Sequence, residues 1–126
     1  MANHVEQMEA LHIFEVVWIR NLQSDRQIQM DQRLFDCLRI HLREPFLIQA
    51  KKTQLLIKLL FTKSKYRDLA FNEVVLALLS PSPRLQLYTN KYLLHFIPIQ
   101  RRHPLQQSEC QTLSKIQLNY LEHPIL

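Results

Sequence analysis

None of the 126 residues is glycine, where average usage of about 7% would place roughly nine. Glycine turns the chain through positive φ and lets backbone approach a bound phosphate closely. Phosphate-cradling loops, dinucleotide fingerprints and nucleophile elbows are therefore excluded, and the commonest two-residue hairpin turns go with them. The chain is expected to join helices through proline, serine and asparagine.

Apolar residues recur at helical spacing along almost the whole chain. Val5, Met8, Leu11, Phe14 and Trp18 mark one face of a first helix running to about Leu22. Ser24 as N-cap, with Asp25 behind it, opens a second whose inward face is Ile28, Phe35, Leu38 and Leu42, stopped by Pro45. Pro45 starts a third through Phe46, Leu47, Leu55, Leu56, Leu59 and Leu60. Ser64 caps a fourth containing Tyr66, Leu69, Phe71, Val74, Val75, Leu78 and Leu79. Ser82-Pro83 opens a fifth through Leu85, Tyr88, Tyr92, Leu93 and Phe96. Ser108 and Gln111 have capping-box spacing for a sixth through Leu113, Ile116, Tyr120 and Leu121. The expected fold class is all-α, about six helices, arranged as three stacked helical hairpins or as a compact bundle. Residues 16–19 and 96–99 are the strand alternatives, each a short run inside a helical period.

A Pro-x-Leu pattern recurs at Pro45, Pro83 and Pro124, the prolines lying 38 and 41 positions apart. Aligning the first two units on proline superposes Leu47 on Leu85, Leu55 on Leu93 and Leu56 on Leu94. Residues 4–43, 45–80 and 82–122 then read as three hairpins within one domain, 1–126, with 124–126 starting a further unit. In period, helix-pair construction and proline placement the chain resembles the armadillo and HEAT class of helical repeats. It is nearer to HEAT, because an armadillo unit normally turns at a glycine between its first two helices. The resemblance implies a non-enzymatic scaffold or adaptor for protein–protein interaction, a fragment or short form of a larger repeat protein, in which each hairpin exposes an apolar face that a neighbour covers.

The chain is basic, with 16 Lys and Arg against 11 Asp and Glu, which suits an acidic partner. Lys51, Lys52 and Lys58 lie on the third helix, Lys63, Lys65 and Arg67 follow, and Arg101 and Arg102 come later. As a positive ridge, Lys63, Lys65, Arg67, Arg101 and Arg102 make nucleic acid the second class of partner, held by salt-dependent phosphate contacts. Tyr88 and Tyr92 are one turn apart on one face of the fifth helix. With Lys91 and the lysines at 51, 52 and 58 they form the candidate surface for a protein partner, an acidic or amphipathic segment. Solvated helix faces and core packing are the bland explanations of the same residues.

Other chemistry finds no support. No two of the six histidines stand four apart around a glutamate, so no metal is expected. His41 and His95 read as late-helix residues facing a dipole or the core. Asp25, Asp31, Asp36 and Asp68 each have a basic neighbour within four positions and read as surface pairs. Ser80, Ser82 and Ser108 read as caps, so no catalytic residue, cofactor or enzyme activity is assigned. Cys37 and Cys110, 73 positions apart, match neither a zinc site nor a disulfide framework and read as small core residues. No apolar block approaches the roughly 20 residues of a membrane span. The first 20 residues carry Glu6, Glu9 and Glu15 and no early basic residue, unlike a leader. The expected address is intracellular, cytoplasmic or nuclear.

Overall fold

A computed structural model describes residues 3–23, 31–96 and 105–122. Its elements are α1 (His4–Phe14), a π-helical segment (Glu15–Ile19), α2 (Arg20–Gln23), α3 (Gln32–Asp36), α4 (Phe46–Leu59), α5 (Arg67–Leu78), α6 (Pro83–Phe96) and α7 (Gln107–Glu122). Among the described residues there is no strand, and residues 16–19 are π-helical. The fold is all-α.

The first helix begins at an asparagine cap: the Asn3 side chain accepts from the Glu6 N–H at 2.8 Å. Leu11 and Phe14 are buried as the apolar spacing predicts, but the wide π turn then moves the inward stripe by one residue. Ile19 becomes fully buried, Trp18 only half-buried, and Glu15 is carried inward to 7% exposure. Val5, at 67% exposure, lies outside the stripe.

The expected second helix is much shorter than its apolar spacing suggested. Ser24, Asp25 and Ile28 lie outside the described residues, and the helix seen is α3, capped by Asp31 through the Leu34 N–H at 2.9 Å. Its backbone ends at Asp36, and residues 37–45 run as turns, leaving Leu42 60% exposed. Both cysteines are exposed free thiols, not core residues, because Cys37 sits on that turn and Cys110 on the outer side of α7's first turn. His41 and His95 are exposed as well.

α4 is the centre of the molecule, packed against α1, the π segment, α2, α5 and α6. Ile48, Leu55, Leu56, Ile57 and Leu59 are each at most 1% exposed; truncating one such leucine to alanine costs about 2–5 kcal/mol. Apart from half-buried Phe46, its solvent side is reduced to a single stripe, Leu47, Lys51, Gln54 and Lys58, at the i, i+4, i+7, i+11 spacing of one helix face. α5 crosses α4 and α6, and α7 packs on α5. The last helix starts at Gln107, ahead of the Ser108 cap expected, because Glu109 accepts from the Gln106 N–H at 3.0 Å. Phe35 and Phe96 are buried, whereas Trp18, Phe46 and Phe71 are half-buried; Leu47 and Leu79 are exposed.

Long polar side chains tie two of the connections to the helix after them by donating to carbonyls of the preceding segment. Gln49 Nε2 donates to the His41 carbonyl at 2.9 Å, and Gln86 Nε2 donates to the Leu78 carbonyl at 2.8 Å. Each glutamine reaches back eight residues, and each is itself buried. Four positions on, Thr53 donates to the Gln49 carbonyl and Asn90 to the Gln86 carbonyl. The two 14-residue helices α4 and α6 thus correspond at a spacing of 37. Ile48 matches Leu85, Lys52 matches Thr89, Leu56 matches Leu93 and Leu59 matches Phe96, all buried; Leu47 matches Arg84, both exposed.

This register differs from the proline alignment by one residue, for a local reason. Pro45 is the N-cap of α4, outside the helix, while Pro83 is the first helical residue of α6. Alignment on proline places buried Leu85 on Leu47, which is 69% exposed, and exposed Leu94 on buried Leu56. The stretch 124–126 lies outside the described residues.

Candidate partner-binding face

Side by side, α1 with its π segment, α4 and α6 form one layer, and the surface of that layer gathers Lys51, Lys58, Tyr88, Lys91 and Tyr92, five of the six residues that the sequence suggests for a protein partner. Along the seam between α4 and α6 runs an aromatic series. Phe46 meets Tyr88 edge-on with centroids 5.6 Å apart, Tyr88 stacks on Tyr92 at 6.1 Å, Tyr92 on Phe96 at 5.7 Å, and Phe96 touches Phe61 at 5.3 Å. Phe61 and Phe96 close the buried end, while Phe46, Tyr88 and Tyr92 are half-buried and reach the surface. Arg84 lies over the Phe46 ring, 3.9 Å from its centroid, a cation–π geometry. Gln54 donates to the Tyr88 hydroxyl, fixing that ring from the α4 stripe.

On the other side of the stripe, Glu15 receives two lysines. Lys51 Nζ lies 2.8 Å from Glu15 Oε1, and Lys58 donates to Oε2. Burial raises the Glu15 carboxyl pKa, but the hydrogen bonds and charges of the two ammonium groups outweigh it and hold the group at about 2. Tyr92 is shifted the other way, pushed up to about 12 by burial, then by neighbouring Tyr88 and the Glu15 charge. One carboxylate against two lysines leaves this cluster a net positive charge, and exposed Lys91 and Arg84 extend it along α6.

Lys52 is not part of this face. It points to the opposite flank of α4, 7% exposed, donating to the Arg39 carbonyl at 2.8 Å and to both Glu44 oxygens. The ridge beyond α4 divides likewise. Lys63 and Lys65 are exposed, Lys65 lying over Tyr66 at 5.2 Å. Arg67 is turned inward, donating to the Leu60 carbonyl at 2.8 Å and pairing in fork geometry with Glu109 of α7. Burial opposes that carboxylate, yet Arg67 and the Gln106 N–H keep its pKa lowered. Arg101 and Arg102 lie outside the described residues.

Glu15 is the residue sequence reasoning missed, although a signal existed. It is the single charge inside Ile13-Phe14-Glu15-Val16-Val17-Trp18-Ile19, and a carboxylate embedded in an apolar run is buried only when paired.

Two shallow pockets lie off this face. One, of about 260 Å³, is lined by Gln7, Leu11, Cys37, Ile48 and the Lys52–Glu44 pair. The other, of about 270 Å³, is lined by Ile40, Leu42, Leu76, Leu79 and Glu73. Among the described residues no group of three His, Cys, Asp or Glu could hold a metal ion, and no helix is long and apolar enough to cross a membrane. No family model, curated protein or solved structure matches this chain.

Proposed function

We propose that this chain is a non-enzymatic interaction scaffold, built of HEAT-like helical hairpins, whose α1–α4–α6 face holds an acidic or amphipathic segment of another protein. The observation that carries this reading is the joining of half-buried Phe46, Tyr88 and Tyr92 to a surplus of positive charge from Lys51, Lys58, Arg84 and Lys91 on one continuous surface. Tyrosine and arginine are among the residues that carry most of the binding energy at protein interfaces, and the lysines beside them favour an acidic partner. The α4–α6 correspondence supports the repeat construction, since equivalent helices using the same glutamine tie are what stacked units require. An intracellular address, cytoplasmic or nuclear, fits the two exposed free thiols, which persist in a reducing compartment.

Capture of partners on the immobilised chain from native extract, followed by mass spectrometry, tests the reading. Arg84→Glu with Lys91→Glu is expected to lose a defined set of proteins that Lys63→Glu with Lys65→Glu retains. Binding removed by nuclease or moderate salt, and lost with Lys63 and Lys65 instead, would replace a protein partner with nucleic acid.

A further inference from the structure

The match between α4 and α6 says what the outer flank of α6 is built to do. Along α4 and the turn that follows it the flank is Phe46, Ala50, Ile57 and Phe61, whose two end rings touch Tyr88 and Phe96 of α6; Ala50 and Ile57 between them are buried. This flank is how α4 receives the next helix of its layer. Thirty-seven positions on, Ala50 and Ile57 become Leu87 and Leu94, yet these are 38% and 60% exposed. α6 therefore repeats the apolar middle of that flank, with larger side chains and nothing upon it among the described residues, while Pro83 stands where α4 has Phe46. Exposed Lys91 stands along it.

At the far end of the same layer, α1 packs on α4 through Leu11 and Phe14, and no described residue covers its opposite face. There Val5, Ile13 and Val16 are 67%, 60% and 39% exposed, and Glu6 and Glu9 are exposed beside them. One free edge of the layer is leucine with positive charge; the other is valine and isoleucine with negative charge.

The geometry points to head-to-tail self-association, in which the α6 flank of one copy, through Leu87 and Leu94, receives the α1 face of a second copy, through Ile13 and Val16, with Lys91 opposite Glu9. The contact is heterologous, so each added copy continues the α1–α4–α6 layer and leaves both end surfaces free for growth. Apolar contact supplies the affinity, while the opposed charges fix the direction and disfavour α6 meeting α6.

The test is sedimentation of the full chain over a wide concentration range, with Leu94→Glu and Ile13→Glu as variants and circular dichroism confirming that each is folded. Wild type is expected to grow with concentration, and each variant alone to associate about tenfold or more weakly, a loss of about 1.4 kcal/mol or more. Mixed, the two variants are expected to form a one-to-one dimer, because each keeps the edge the other has lost. Lys91→Glu is expected to weaken association, and addition of Glu9→Lys to restore it. A wild type monomeric at every concentration, a mixture with no heterodimer, or association lost with Leu94→Glu yet untouched by Ile13→Glu would each overturn the proposal.

Discussion

α4 and α6 are the same helix in two surroundings. Both are 14 residues long, both bury a glutamine that reaches back eight residues, and together they bury the equivalent pairs Ile48 and Leu85, Leu56 and Leu93, and Leu59 and Phe96. α4 has neighbours on both flanks and keeps a solvent stripe of four residues, whereas α6 has α4 and α5 on one side and leaves Leu87, Lys91 and Leu94 outside. The lesson is that an apolar position's energy here is set by which helix lies beside it, more than by its place in its own helix.

The largest difference between the two helices is expected when a charge is placed at equivalent positions. Ile57→Asp buries an unpaired carboxylate and should cost more than about 4 kcal/mol; Leu94→Asp, at 60% exposure, should stay within about 0.5 kcal/mol. Urea unfolding followed by circular dichroism measures both. Comparable losses at the two sites would remove the distinction between the flanks.

Next in size is Glu15, which ties the π segment to the α4 stripe and has no counterpart on α6. A carboxyl held at about 2, against an ordinary 4.5, stabilises the folded chain fully above pH 4.5 and loses that contribution as pH falls towards 2. The contribution is up to about 3 kcal/mol. Glu15→Gln should flatten this part of the acid-unfolding profile and lower stability at neutral pH by a similar amount, since it strands two part-buried lysines. An unchanged profile between pH 4.5 and 2 would deny the cluster that role.

A smaller and matched pair of losses should follow at the glutamine ties. Gln49→Ala and Gln86→Ala each remove one buried side-chain hydrogen bond to a carbonyl, the His41 carbonyl keeping the Glu44 N–H, for about 0.5–1.5 kcal/mol apiece in chemical denaturation. Strongly unequal values would weaken the correspondence. Smallest at neutral pH is Tyr92→Phe. Tyr92 keeps its proton up to about 12, against 10 for an ordinary tyrosine, so the wild type loses stability as pH rises from 10 towards 12. The variant should lose less over that window in a thermal melt series.

Local chemistry made much of the helical outline readable. Pro45 and Ser82-Pro83 announced two helix starts, because caps and ring-locked φ act within a few residues. The same proline at N-cap in one helix and first position in the other shifted the repeat register by one, a difference that proline itself does not encode. The π turn carries no glycine or proline to mark it, so its displacement of the buried stripe from Trp18 to Ile19 was not legible. Nor were the ion pairs: Glu15 meets Lys51 and Lys58 across 36 and 43 positions, and Arg67 meets Glu109 across 42. Such pairs exist only once helices stack. Tyr88 and Tyr92 could be read as one face from helical period alone, while their joining to Lys51 and Lys58 depended on α4 lying between α1 and α6.

Native-state hydrogen exchange, read residue by residue, tests the α4–α6 contrast most directly. Amides of Leu55 and Leu56 in α4 should exchange only through global unfolding, and those of Lys91 and Leu94 in α6 through a smaller opening of lower free energy. Equal protection along the two helices, or greater protection in α6, would contradict the account.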